Sequence, residues 1–281
     1  MHEHVGIGLL GLGIVGSAVY DVIAHSGGRL TQVAGRQPIV RHVLVQHPER
    51  PRLVEPHPGL LTTESADVLD DPSVEVVIEL IGGLEPAGTF VRRALEQGKH
   101  VVTANKELIA ARGPELLALA RTCGVQLRFE ASVGAGIPII RPLEEMLVAN
   151  RIERVMGILN GTTNFIVSQM AENGIPFEQA LAEARRAGYA EADPADDLSG
   201  RDSARKLAIL ASYAFGTWVG PEEVLTEGIV GLDQADIRYA RQLGYAVRLV
   251  GIARRRPEGI EARVHPTMVP IGHPLASVRD A

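Results

Sequence analysis

From residue 5 onward, short and nearly unbroken apolar runs alternate with longer stretches whose apolar positions recur every three or four residues. The runs at 5–10, 40–45, 74–81, 99–102 and 125–129 are too short for helices and rich in Val, Ile and Leu, the pattern of strands buried on both faces. Between them, Ala18, Val19, Val22 and Ile23 mark one helix, 86–96 a second, and Leu116, Leu117 and Ala120 a third. Strands alternating with helices predict an α/β domain, doubly wound around a parallel sheet. After residue 131 the rhythm changes. Helical spacing at 139–148, a strand at 152–159, and helices at 177–187, 201–210 and 234–243 come first, followed by strands at 246–253 and 261–269. That order predicts a second, mixed α+β domain, so the division is placed between 1–131 and 132–281.

Composition narrows the picture. The 281 residues are 46% hydrophobic and 22% charged, enough to build large cores and too apolar for a disordered chain. The net charge of −6, with no basic block and 4% aromatic residues, lacks the electrostatic footprint of a nucleic-acid binder. Cys123 is the single cysteine, which excludes an internal disulfide and fits a reducing compartment. No unbroken apolar run approaches the ~20 residues needed to span a bilayer. The first apolar run is interrupted by Gly6, Gly8, Gly11 and Gly13 and has no basic flank, unlike a signal peptide. The expectation is a soluble cytoplasmic protein with no membrane or nucleic-acid partner.

The chemistry concentrates at five places. Gly11-Leu12-Gly13-Ile14-Val15-Gly16 follows the first strand and opens the first helix. Gly11 permits the tight turn, Gly13 lets backbone approach a pyrophosphate, Gly16 allows close packing, and the helix start offers free amides to phosphate. The second strand runs on to Gln46, His47, Arg50 and Arg52, without the acidic residue that would take a ribose 2′-hydroxyl. That tilts the cofactor towards NADP. Gly82-Gly83 ends another strand, and Thr103-Ala104-Asn105-Lys106 puts a lysine just past a strand's carboxyl end, where ligands of open α/β sheets bind. Glu130 precedes the glycine-rich turn 131–138, which reads either as a hinge or as a source of carbonyl ligands for a hard cation. Asn160-Gly161-Thr162-Thr163-Asn164 can cap a following helix. Finally, 188–206 gathers Glu191, Asp193, Asp196, Asp197 and Asp202 around Lys206, with Asp202 and Lys206 four apart on one helical face.

In order and spacing, GLGIVG, TANK, EASVGAGIP, NGTTN and GYAEADPADDLSGRDSARK together resemble the homoserine dehydrogenase family over almost the whole chain. The resemblance implies a Rossmann-type dinucleotide-binding domain followed by a mixed-sheet domain for substrate binding and homodimerisation. It implies reversible NAD(P)-dependent interconversion of L-aspartate 4-semialdehyde and L-homoserine, on the branch leading to threonine and methionine. In that family pattern Lys206 and Lys106 stand at the reacting centre and Asp202 orients Lys206. Glu191, Asp197, Gly161, Thr162 and Tyr189 would serve the small-molecule substrate. Gly11, Gly13, Ile14, Val15, Gly16, Gly82, Thr103 and Lys106 would line the cofactor, NADP or NAD. Glu130, Val133, Ala135 and Ile137 match a site for a monovalent cation, sodium or potassium, made of one side chain and three carbonyls. Two departures accompany the match: Gln46 stands where the family often has arginine, and the chain stops at Ala281, where the family usually continues into a segment returning to the first domain and often a regulatory domain. The residues alone also accommodate a dinucleotide-binding sensor or scaffold, or an amino-acid dehydrogenase with another substrate.

Overall fold

The computed structural model describes residues 4–57 and 59–279. They form two compact units, one ending at Pro138 and one beginning at Ile139. In the first unit the elements run β1 (His4–Leu10), α1 (Ile14–His25), α2 (Gly27–Ala34), β2 (Gln37–Leu44), β3 (Leu61–Thr62), α3 (Ser65–Leu69), β4 (Val76–Glu79), α4 (Ala87–Glu96), β5 (His100–Thr103), α5 (Lys106–Thr122) and β6 (Leu127–Arg128). All strand pairs are parallel, in the order β3-β2-β1-β4-β5-β6. This is the doubly wound Rossmann-type arrangement. Successive connections leave β1 towards opposite sides, so a crevice opens at the carboxyl ends of β1 and β4. Leu9, Val43, Val77, Val101, Leu108 and Ile109 are fully buried at the heart of the unit. That explains the unbroken apolar runs, since a strand covered by helices on both faces has no polar side to show.

The second unit contains β7 (Arg154–Gly157), α6 (Gly161–Asn173), α7 (Phe177–Arg186), α8 (Ala195–Leu198), α9 (Arg201–Phe215), β8 (Leu225–Thr226), α10 (Gln234–Gln242), β9 (Tyr245–Arg256) and β10 (Gly259–Pro270). The sheet order is β7-β9-β10-β8. β9 runs antiparallel to β7 and β10, and β8 parallel to β10. One face of this mixed sheet, carrying Val247, Leu249, Ala253, Ala262 and Val264, shares a core with Phe165, Ile166 and Met170 of α6 and Leu207, Ala208 and Ala211 of α9. The opposite face holds Val250, Ile252 and Val269, against which Met156, Leu275 and Ala276 pack.

Several expected elements are altered by local chemistry. The helix expected at 139–148 is instead a π-turn over Pro142–Met146, in which the Leu147 N–H reaches the Pro142 carbonyl at 2.8 Å. Pro142 lacks the N–H that a regular helix from Ile139 would bond back to the carbonyl of residue 138. The strand expected at 152–159 narrows to β7, because Leu159 and Asn160 turn away to start α6. α2 escapes the hydrophobic pattern because none of its residues is buried. β3 and β8, at two residues each, are too short to carry a periodicity.

Candidate active site

In the first unit the glycine turn divides its tasks as its spacing suggests. Gly11 adopts φ 104°, and a Cβ there would lie 3.0 Å from the Leu80 carbonyl. A Cβ on Gly16 would stand 2.4 Å from the Gly11 carbonyl, so α1 can begin against its own turn only without one. A Cβ on Gly13 would meet nothing within 4 Å. No internal contact demands that glycine, and the open space above it is a cradle that a side chain would fill. α1 starts at Ile14 with no side-chain cap, and Ile14 and Val15 are exposed, leaving its first amides available to an anion.

A cavity of about 840 Å³ opens beside this turn, lined by Gly11, Gly13, Gln46, His47, Arg50, Arg52, Glu64 and Ile81 among others. Arg50 and Arg52 differ in what their side chains are doing. The Arg52 guanidinium donates to the carbonyls of Pro48 at 2.8 Å and Arg50 at 2.7 Å, and also to that of His47. It folds the loop after β2 around itself. Arg50 makes no such side-chain bond among the described residues, which leaves it as the cation facing the cavity.

Glu79, the last residue of β4, is fully buried. Its carboxylate accepts the backbone N–H groups of Ile81 at 2.8 Å and Gly82 at 3.0 Å, and the Thr103 hydroxyl at 2.5 Å. The Thr103 oxygen in turn accepts the Asn105 N–H at 2.9 Å. Asn105 caps α5 through Leu108 at 3.0 Å and donates to the Gly83 carbonyl at 2.7 Å. One carboxylate thus shapes both loops at the carboxyl ends of β4 and β5. Gly82, expected at the cofactor, sits in one of these loops with φ 80°, and half-buried Lys106 opens α5 directly after the other. Strand reading alone passed over Glu79, although an acidic residue inside a buried apolar run is itself a signal.

In the second unit the acidic stretch sorts itself into separate jobs. Only Asp202 meets Lys206. It is 3% exposed and accepts the ammonium at 2.7 Å, while the Leu159 carbonyl takes a second Lys206 N–H at 2.9 Å. This is not the solvated surface pair that four-residue spacing usually means. Two of the three ammonium hydrogens are spent, which leaves one for a ligand. Asp197 is bound by the Asn160 side chain at 2.7 Å. Asp196 instead pairs with Arg205 and lies 3.5 Å from Arg201, and Asp193 accepts the Ala195 N–H at 3.1 Å. The Glu191 side chain is exposed and engages no group among the described residues. Thr162 is buried, and its hydroxyl donates to the Tyr189 carbonyl at 2.7 Å. It ties the start of α6 to the loop after α7, whose Tyr189 ring packs on Phe165 with centroids 4.6 Å apart. Gly161, the first residue of α6, is half-buried.

Glu130 begins a 3-10 turn ending at Ser132, after which Gly134 and Ala135 both take positive φ, 74° and 44°. A left-handed alanine is uncommon, and two such residues in succession swing consecutive carbonyls away from the ordinary extended path. Val133 is buried and Ile137 is 67% exposed. No group of three or more His, Cys, Asp or Glu side chains among the described residues could hold a metal, so a cation here would depend on carbonyl oxygens.

Composition carries a further signal. Three of the 28 Lys and Arg residues are lysines, namely Lys99, Lys106 and Lys206. In a chain whose other 25 basic residues are arginines, each lysine stands out. Lys99 is the buried one, donating to the carbonyls of Asp71 at 2.6 Å and Val74 at 2.7 Å.

Comparison with known proteins points in one direction. The family model described as homoserine dehydrogenase, NAD binding domain, matches residues 11–130, and the one described as homoserine dehydrogenase matches 138–281. A homoserine dehydrogenase of Bacillus subtilis is 47% identical over 98% of this chain, and the chain spans 64% of that relative's length. The crystal structure of a homoserine dehydrogenase from Thiobacillus denitrificans superposes with a TM-score of 0.95 at 48% identity, covering 100% of this chain and 65% of that one. A hyperthermophilic archaeal homoserine dehydrogenase, solved in complex with NADPH, matches with a TM-score of 0.81 at 26% identity, covering 97% of this chain and 84% of that one.

Proposed function

Because the chain belongs to the homoserine dehydrogenase family, we propose that it interconverts L-aspartate 4-semialdehyde and L-homoserine with a nicotinamide dinucleotide. The observation that carries this reading is the ion pair of buried Asp202 with half-buried Lys206, one ammonium hydrogen of which is uncommitted. A bound nicotinamide would supply or accept the hydride. In the reducing direction the aldehyde oxygen becomes an alkoxide. Lys206 hydrogen-bonds that oxygen as charge develops and gives it a proton, while Asp202 keeps the ammonium aimed. Glu191, exposed and unengaged, takes the substrate ammonium, with Asp197 supporting it. The free amide of Gly161 and the loop fastened by Thr162 and Tyr189 receive the carboxylate end.

In the first unit, the open cradle over Gly13 and the uncapped amides at Ile14, Val15 and Gly16 suit a pyrophosphate. Gly82 and Lys106 line the nicotinamide end of the crevice, which Thr103, buried against Glu79, supports from behind. Arg50 favours NADP by meeting a 2′-phosphate, in a cavity whose β2 end carries no acid to bind the 2′-hydroxyl of NAD. Glu130 with the carbonyls of Val133, Ala135 and Ile137 offers a set of hard oxygens bearing a single negative charge, which fits sodium or potassium better than a divalent ion. Two copies pair as a homodimer, which sedimentation would detect. The catalytic reading is tested by following nicotinamide absorbance with L-homoserine and NADP or NAD. Turnover is expected with at least one, and none with either would overturn it.

A further inference from the structure

The side-chain amide of Asn160 offers one acceptor oxygen and two N–H donors, and all three are committed. Oδ1 accepts the Thr163 N–H at 2.8 Å as the N-cap of α6. Nδ2 donates to Asp197 Oδ1 at 2.7 Å and to Asp202 Oδ2 at 2.9 Å. This network dictates the orientation of the amide. A flipped group would set its oxygen against two carboxylates and its NH₂ against a backbone N–H. The residue is 6% exposed, so water does not substitute easily for any of these partners. The carbonyl just before it, on Leu159, holds the Lys206 ammonium. Two consecutive residues therefore grip both members of the Asp202–Lys206 pair from outside α9.

We propose that Asn160 is a positioning residue for the reaction, fixing where the Lys206 ammonium points by bridging the Asp197 and Asp202 carboxylates with a single neutral amide. The residue type follows from the task. Two carboxylates drawn together repel, and an NH₂ group between them satisfies an oxygen of each without adding a cation to compete with Lys206 for Asp202. Serine or threonine could cap α6 equally well, but neither carries two donors. Left to itself, a four-spaced acid–base pair on a helix exchanges among rotamers; the bridge and the Leu159 carbonyl remove that freedom. The catalytic meaning of this geometry rests on the function proposed above, whereas the geometry itself does not.

Two variants test it. Asn160→Ser keeps the cap and loses the bridge, and Asn160→Asp keeps cap and shape but sets a third carboxylate against the other two. The readouts are steady-state kinetics and acetylation of the three lysines followed by mass spectrometry, with buried Lys99 and half-buried Lys106 as internal references. For Asn160→Ser, kcat is expected to fall by about 10- to 100-fold, the scale of misplacing a reacting group by a fraction of an ångström, with little change in cofactor KM. Its Lys206 should acetylate faster relative to Lys106. Asn160→Asp should lose kcat at least as far. Wild-type values of both kcat and the Lys206 labelling ratio in folded Asn160→Ser would overturn the proposal. Should the serine variant fail to fold, Asn160→Asp decides by the same two measurements. A wild-type protein that turns over neither substrate would sink the proposed reaction, and the labelling ratio would still decide whether Asn160 holds Lys206.

Discussion

At the scale of single residues, neighbouring side chains of the same type turn out to do different work. Lys206 has two hydrogens tied down and one available, so Lys206→Ala should remove an interaction made in the transition state. The expected loss in kcat is roughly 10²- to 10⁴-fold with little change in cofactor affinity. Near-normal kcat would show that another group is the acid. Arg50 and Arg52 separate in the same way. Arg50→Ala should lower kcat/KM with NADPH while sparing NADH, because only the 2′-phosphate distinguishes the two. Arg52→Ala should lower both, since its guanidinium holds the loop carbonyls of His47, Pro48 and Arg50. Equal losses for both cofactors in Arg50→Ala would remove it as the discriminating residue.

Among elements, close backbone approach and burial decide stability. α8 packs beneath Gly228, where a Cβ would fall 2.0 Å from the Leu198 carbonyl and 2.6 Å from the Ser199 Cα. Neither atom can swing aside as a side chain would. Gly228→Ala should cost about 2 kcal/mol or more in urea unfolding, and a cost within 0.5 kcal/mol would mean that the segment shifts freely. Lys99 joins the start of β5 to the turn before β4, and its burial pushes the ammonium below 10.5 despite the opposing pull of Asp71 and Asp70. The unfolded chain therefore holds that proton to higher pH than the folded one. Below the lowered value the burial penalty is constant. From there up to about 10.5 the unfolded state binds more protons, and the native state gains stability with rising pH, by at most about 1.4 kcal/mol per pH unit. Wild-type stability measured against Lys99→Met should climb across that window. A flat difference would show that Lys99 titrates alike in both states.

For the molecule as a whole, the open crevice of the first unit makes stability a function of ligand. NADP⁺ bound only to the folded state should add about 2.7 kcal/mol at a free concentration 100 times Kd. Hydrogen exchange should slow at 11–16 and 46–52, where the glycine turn and the Arg52-folded loop border the cavity. A raised unfolding midpoint without slowing at those amides would move the cofactor elsewhere.

The strands of the first unit and the glycine turn were legible in the sequence because both depend on near neighbours. A strand covered on both faces must be apolar along its length, and a turn of φ 104° at Gly11 followed by an uncapped helix is written in six consecutive residues. The four-residue spacing of Asp202 and Lys206 likewise put them on one face before any fold was known. Tertiary structure alone decided that Asp202 is buried and that the Leu159 carbonyl takes a second hydrogen of that lysine. It also decided that Asn160 reaches across 37 and 42 residues of chain to two aspartates. The physical reason is common to both: periodicity reports which face a residue shares with its neighbours. Which donor meets which acceptor across a core depends on how separate elements pack, a matter of geometry that local spacing does not contain.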